Sequence, residues 1–135
     1  MIISVVLLAA CGSAKKTDKE EKLDIRISPT GLKYLEIKPG LGAVPRQGQT
    51  VIVHQIVMDS QGKVFENTYQ NGQPFEFTIG KDETIEGLEE GVLTMKVGGK
   101  TKLFVPPELG FGRRAVRTIP KNSDLVIEVE LINIK

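Results

Sequence analysis

The sequence predicts an α+β fold, a curved antiparallel β-sheet wrapped around one short α-helix. Three observations carry this. Residues 84–95 set Ile85, Leu88, Val92 and Met95 three, four and three apart, which is one apolar stripe at helical spacing. The segments on either side alternate with period two and carry β-branched and aromatic residues. Clusters of Gly, Pro, Asn and Asp separate them. A lone amphipathic helix must bury its stripe, and a sheet curling over it supplies the surface.

Taken in order, Ser28 to Gly31 form a turn and residues 32–37 a first extended segment. Residues 50–58 are the first long strand, with Val51, Val53, Gln55 and Val57 on one face and Ile52, His54, Ile56 and Met58 on the other. Both faces are largely apolar, so this strand is expected at the centre of the sheet. Asp59 to Gly62 make a hairpin turn, residues 64–67 return, and 68–72 read as a polar loop. Phe75, Phe77 and Ile79 alternate cleanly to one side. Thr101, Leu103 and Val105 are the inner face of the next strand, and Leu125, Ile127, Val129 and Leu131 that of the last.

Within the helical stretch, Thr84 is placed to cap, Glu86 suits the positive end of the dipole, and Gly98-Gly99 is the expected stop. Gly87 and Gly91 cost about 1 kcal/mol each against Ala in a helix. They lie either on an exposed face or where a strand or ligand comes close. Residues 106–123 show no period at all, yet contain Phe111 and Ile119. A loop of that length in a compact domain is a candidate lid or pocket wall.

At 135 residues the chain supports one domain. Its 18 basic and 17 acidic residues leave a net charge of +1, and it has no Trp, which disfavours a nucleic-acid surface; no nucleic-acid partner is expected. One His and one Cys are too few for a zinc site or an intrachain disulfide. With no Ser, Cys or carboxylate partner evident, His54 reads as a structural strand residue. Arg113, Arg114 and Arg117 read as solvated loop charges.

Residues 2–10 form an apolar run too short to span a bilayer, the hydrophobic part of an export signal. Leu8-Ala9-Ala10-Cys11 resembles the lipobox of bacterial lipoproteins, in which the cysteine becomes the lipidated first residue. That divides the chain into a signal peptide at 1–10, a lipidated Cys11 with a flexible linker at 11–22, and a folded domain at 23–135. Residues 12–22 hold four Lys, three acidic residues and no large apolar side chain, so they cannot offset the entropy of ordering. By analogy with lipoprotein sorting, Gly12 after the cysteine points to the outer membrane of a two-membrane bacterium, with the chain anchored in the cell envelope by its lipid.

The folded part contains Gly48-Gln49-Thr50-Val51, Val53-His54, Gly62-Lys63-Val64-Phe65, Gly72 to Phe77, and Gly87-Leu88-Glu89-Glu90-Gly91. Met95 to Gly99, Val105 to Gly112, Ile119-Pro120 and Leu125 to Leu131 continue the series. In this order and spacing they resemble an FKBP-type peptidyl-prolyl cis-trans isomerase domain across roughly residues 32–135. The resemblance implies a curved antiparallel sheet around one helix and a shallow apolar pocket that takes the segment before and including a proline. It implies catalytic positions at Phe65, Glu66, Phe111 and Ile119, and substrate-binding positions at Gln55, Phe75, Thr84, Ile85, Leu88 and Ile127. A backbone N–H of Ile85 or near Ile119 would hold a substrate carbonyl. Phe77 is expected to be ordinary core.

By the same resemblance, Gln55 stands where the family usually has tyrosine, Leu88 where it has tryptophan, and Glu66 where it has aspartate. Thr84 replaces an aliphatic residue, Ile127 a phenylalanine found in many members, and Phe111 a tyrosine. The implied function is X–Pro isomerisation assisting exported chains from a membrane tether. The alternative is a catalytically weak domain that acts as a module binding proline-containing or apolar peptides, or as a chaperone. No metal and no cofactor are expected, and the chain is expected to be a monomer.

Overall fold

The computed structural model describes residues 24–113 and 119–135. The signal peptide, Cys11, the linker, and Arg114 and Arg117 lie outside the described residues. Among the described residues, seven strands form one antiparallel sheet: β1 (Ile25–Ile27), β2 (Lys33–Lys38), β3 (Thr50–Asp59), β4 (Val64–Asn67), β5 (Phe75–Thr78), β6 (Lys100–Val105) and β7 (Leu125–Ile134). Their spatial order is β1-β2-β6-β7-β3-β4, with β5 also paired to β3. The helices are α1 (Thr68–Asn71) and α2 (Glu86–Val92), and Pro107–Leu109 makes one 3-10 turn.

The α+β architecture expected from periodicity is present. Inward residues of neighbouring strands fall in register, as in the row Tyr34, Leu103, Ile127, Val57. Leu88 and Val92 of α2, with Met95 beyond it, are buried with this face. Full burial of a Leu or Val side chain stabilises by about 1.5–3 kcal/mol, so the stripe supplies much of what holds so short a helix. Strand β3 is central, as expected: it pairs with β4, β5 and β7. Only its Val51, Val53, Gln55, Val57 face is buried; Ile52, His54, Ile56 and Met58 are half-buried on the outer side.

Several expectations are corrected. Thr84 is not the helix cap: Ile85 holds that position with extended φ −71° and ψ 151°, and no side chain caps the helix. The Ile85 carbonyl instead accepts from the Leu88 and Glu89 N–H groups. The helix also stops at Val92 rather than at Gly98-Gly99. Thr94 turns its hydroxyl onto the Gly91 carbonyl at 2.7 Å, and Gly98 and Gly99 are used by β7 through Gly98 N–H to Leu131 O (2.8 Å) and Leu131 N–H to Gly99 O (3.0 Å).

The expected polar loop after β4 contains a helical turn, α1, because the Asn67 side chain accepts from Tyr69 and Gln70 N–H and Gly72 closes it at φ 73°. Strand β1, not expected, precedes the Ser28 to Gly31 turn and pairs with β2. His54 is structural: its ring stacks on Tyr69 at 4.6 Å and its Nδ1 lies 2.9 Å from Thr68 Oγ1. The Tyr69 hydroxyl donates to Glu130, and burial followed by that bond pushes it above the usual phenol range. In the hairpin turn Asp59 accepts from Gln61 and Lys63 N–H, and the Lys63 bond chiefly holds its carboxyl below the usual range.

Gly87 and Gly91 face β6, not solvent. A Cβ on Gly87 would lie 2.7 Å from Val105 Cγ1 and 3.2 Å from Leu109 O; one on Gly91 would lie 2.6 Å from Leu103 Cδ1. Of the two readings left open by the sequence, close approach of a strand is the one found. Gly87→Ala gains about 1 kcal/mol of helix propensity but overpacks a buried contact at about 1–3 kcal/mol. A lowered urea midpoint is therefore expected; an unchanged or higher one would show that the helix has room to move.

Candidate functional site

Between α2, the sheet, and Phe111 and Ile119 lies a cavity of about 310 Å³. Strand β3 contributes Gln55 and Val57, β4 Phe65 and Glu66, β5 Phe75, and β7 Leu125 and Ile127. Thr84 and Ile85 precede α2, Leu88 lies on it, and Phe111 and Ile119 come from the long segment. All ten pocket residues named from sequence are thus brought together. Val57 and Leu125 were missed, although each shares a strand face with a named residue two positions away, Gln55 and Ile127 respectively.

Leu88, Leu125 and Ile127 are almost fully buried and form the floor, while Phe65, Phe75 and Phe111 are half-buried around it. Phe75 stacks on the core ring of Phe77 with centroids 5.3 Å apart; Phe77 is buried, as expected. The segment that carries Phe111 and Ile119 is tied across its described ends by Asn122 N–H to Gly112 O.

Simple alternation would send Phe65 and Glu66 to opposite faces of β4. The strand instead has a bulge: Met58 pairs with Val64 and Val57 with Glu66, leaving Phe65 the extra residue. A bulge re-aims a side chain, and here it lets consecutive residues line the same cavity.

Three polar groups enter an otherwise apolar wall: Gln55, Glu66 and Thr84. Gln55 is 4% exposed, and its Nε2 donates to Glu66 Oε1 at a long 3.4 Å. Its Oε1 is buried with no hydrogen-bond partner among the described residues. Its main chain is well tied, with the N–H donating to Thr68 Oγ1 at 2.8 Å. The Ile85 N–H, at the cavity edge, has no backbone acceptor among the described residues. The arrangement suits a ring-sized apolar group joined to an amide, with one backbone donor for a carbonyl.

A family model described as FKBP-type peptidyl-prolyl cis-trans isomerase matches residues 42–132. The chain belongs to that family. FKBP-type peptidyl-prolyl cis-trans isomerase FkpA of Escherichia coli (strain K12) is 40% identical over 131 residues, covering 94% of this chain and 48% of that protein. FK506-binding protein 1 of Dictyostelium discoideum is 43% identical over 106 residues, covering 78% of this chain and 99% of that one. The crystal structure of Escherichia coli FkpA superposes with a TM-score of 0.79 at 38% identity, over 94% of this chain and 59% of that one. This FKBP chain thus spans about half the length of the Escherichia coli relative it matches.

An unpartnered buried acceptor costs about 1–3 kcal/mol, more than a 3.4 Å bond returns. Gln55→Met keeps the volume and removes that acceptor from this FKBP pocket. It is expected to raise stability by about 1 kcal/mol in urea unfolding; a loss of stability would show that Oε1 has a partner.

Proposed function

We propose that this FKBP-family domain catalyses cis–trans isomerisation of X–Pro bonds in exported polypeptides while tethered to the cell envelope through a lipid on Cys11. The observation that carries the enzymatic part is the convergence of residues from four strands, the helix and the long segment on one cavity. The domain division at 1–10, 11–22 and 23–135 and the outer-membrane location belong to the same proposal and rest on the lipobox-like Leu8-Ala9-Ala10-Cys11 and on Gly12.

Rotation about the X–Pro bond faces a barrier of about 18–20 kcal/mol because the planar amide loses its resonance. A planar amide is more charge-separated than a twisted one, so an apolar cavity that excludes water disfavours the ground state relative to the transition state. In this reading Leu88 and Ile127 support the prolyl ring, Phe65, Phe75 and Phe111 enclose it, and Ile119 closes one side. The Ile85 N–H holds a substrate carbonyl while the bond turns. Glu66, kept in place by Gln55, bounds the polar side. Each of these contacts acts by shape, desolvation and hydrogen bonding, so the reaction forms no covalent intermediate.

The second reading, a binding module that grips prolyl or apolar segments with little turnover, is favoured by one observation. The cavity wall carries a buried amide and a carboxylate, and it has a leucine at its floor. Such a wall gives a deeper and less uniformly apolar hollow.

The full chain is expected to accelerate refolding of a proline-limited protein. Phe65→Ala and Phe111→Ala should each lower kcat/KM by about tenfold or more, as loss of contacts to the twisted amide. No acceleration at high protein concentration, together with peptide binding in an NMR titration, would leave only the binding module. For the tether, Cys11→Ser is expected to move the chain from the membrane to the soluble envelope fraction; retention in the membrane would sink that part alone.

A further inference from the structure

We infer that the cavity selects prolyl segments in which a lysine or arginine flanks the proline, an inference that rests on the peptide-binding reading above. A proline has no N–H and cannot satisfy a hydrogen-bond acceptor. Yet the polar part of this wall offers acceptors: the Glu66 carboxylate and the unpartnered, buried Gln55 Oε1. The orientation of the amide follows from chemistry, because a carboxylate only accepts and so must face the Nε2 edge. The ion pairs among the described residues are Arg26–Asp24 and Lys135–Glu76, so Glu66 has no cation partner among the described residues.

The nearest basic residue in sequence does not serve it. Lys63 places Nζ over the Phe65 ring, 5.8 Å from its centroid. That contact shows that the Phe65 ring takes an ammonium on a face, here from a lysine that is not among the cavity-lining residues. Phe65, Phe75 and Phe111 therefore provide surface for an aliphatic stem and π-faces for a cation, and Glu66 terminates the path with a negative charge. An ammonium carries three donors. It bonds the carboxylate first and reaches Gln55 Oε1 by a turn of the terminal amide torsion, which is broad for glutamine. A neutral side chain of the same length packs on the rings but leaves Glu66 with only the long bond from Gln55 Nε2 and Gln55 Oε1 with no donor.

The test uses the full chain and short peptides with lysine, norleucine or glutamate immediately before or after proline. Affinity is read by NMR titration and catalysed cis–trans exchange by magnetisation transfer. In at least one position the lysine peptide is expected to bind about fivefold or more tighter than norleucine, with glutamate weakest. The advantage should shrink between about 50 mM and about 500 mM salt. It should vanish in Glu66→Gln and fall in Gln55→Leu, read as the lysine-to-norleucine ratio within each variant. Equal affinity for lysine and norleucine in both positions, a ratio unchanged in Glu66→Gln, or no binding of any peptide would overturn the inference. Catalysed exchange without a lysine preference would overturn the selectivity and leave the isomerase reading standing. A lysine preference in affinity without catalysed exchange would do the reverse.

Discussion

The molecule depends on how closely α2 lies against β6. Gly87 and Gly91 remove the two Cβ atoms that would otherwise meet Val105 and Leu103, so the helix rests with its backbone against the strand. That height determines how deep Leu88 sits over Ile127 and Leu125, and so how much space remains beside them. A helix one methyl further from the sheet would open the core beneath Val92. The glycines oppose helix formation locally and are repaid by packing.

A second constraint is the irregularity of β4. A regular strand would have offered the cavity either an aromatic ring or a carboxylate, not both. The bulge at Phe65 presents the ring and the charge of Glu66 next to each other, opposite the buried amide of Gln55. The result is a hollow that is apolar over most of its wall and polar on one side. The under-satisfied amide is stability given up on the cavity wall. Membership of a family whose solved member superposes closely leaves that local chemistry open, because the fold specifies where the cavity is and side chains specify what it takes.

Much of this was legible beforehand. Period-two alternation at 50–58, 75–79, 101–105 and 125–131 identified the inner faces of β3, β5, β6 and β7, because burial of one sheet face imposes that period on sequence. The Ile85, Leu88, Val92, Met95 stripe located the helix for the same reason. The ordered motifs from Gly48 to Leu131 carried the family, and with it the ten cavity residues, which composition and spacing alone would not have chosen. What sequence could not decide was set by contacts between residues distant in the chain. Thr84 is a good cap in isolation, but its place beside the cavity leaves Ile85 to start the helix. The Gly98-Gly99 pair reads as a helix stop, yet the Gly98 N–H and the Gly99 carbonyl both bond to Leu131. Whether Gly87 faces solvent or strand depends on where β6 lies, and whether Phe65 shares a side with Glu66 depends on the pairing of β4 with β3. Local pattern records which side of an element is buried; only the assembled sheet determines what each buried side is buried against.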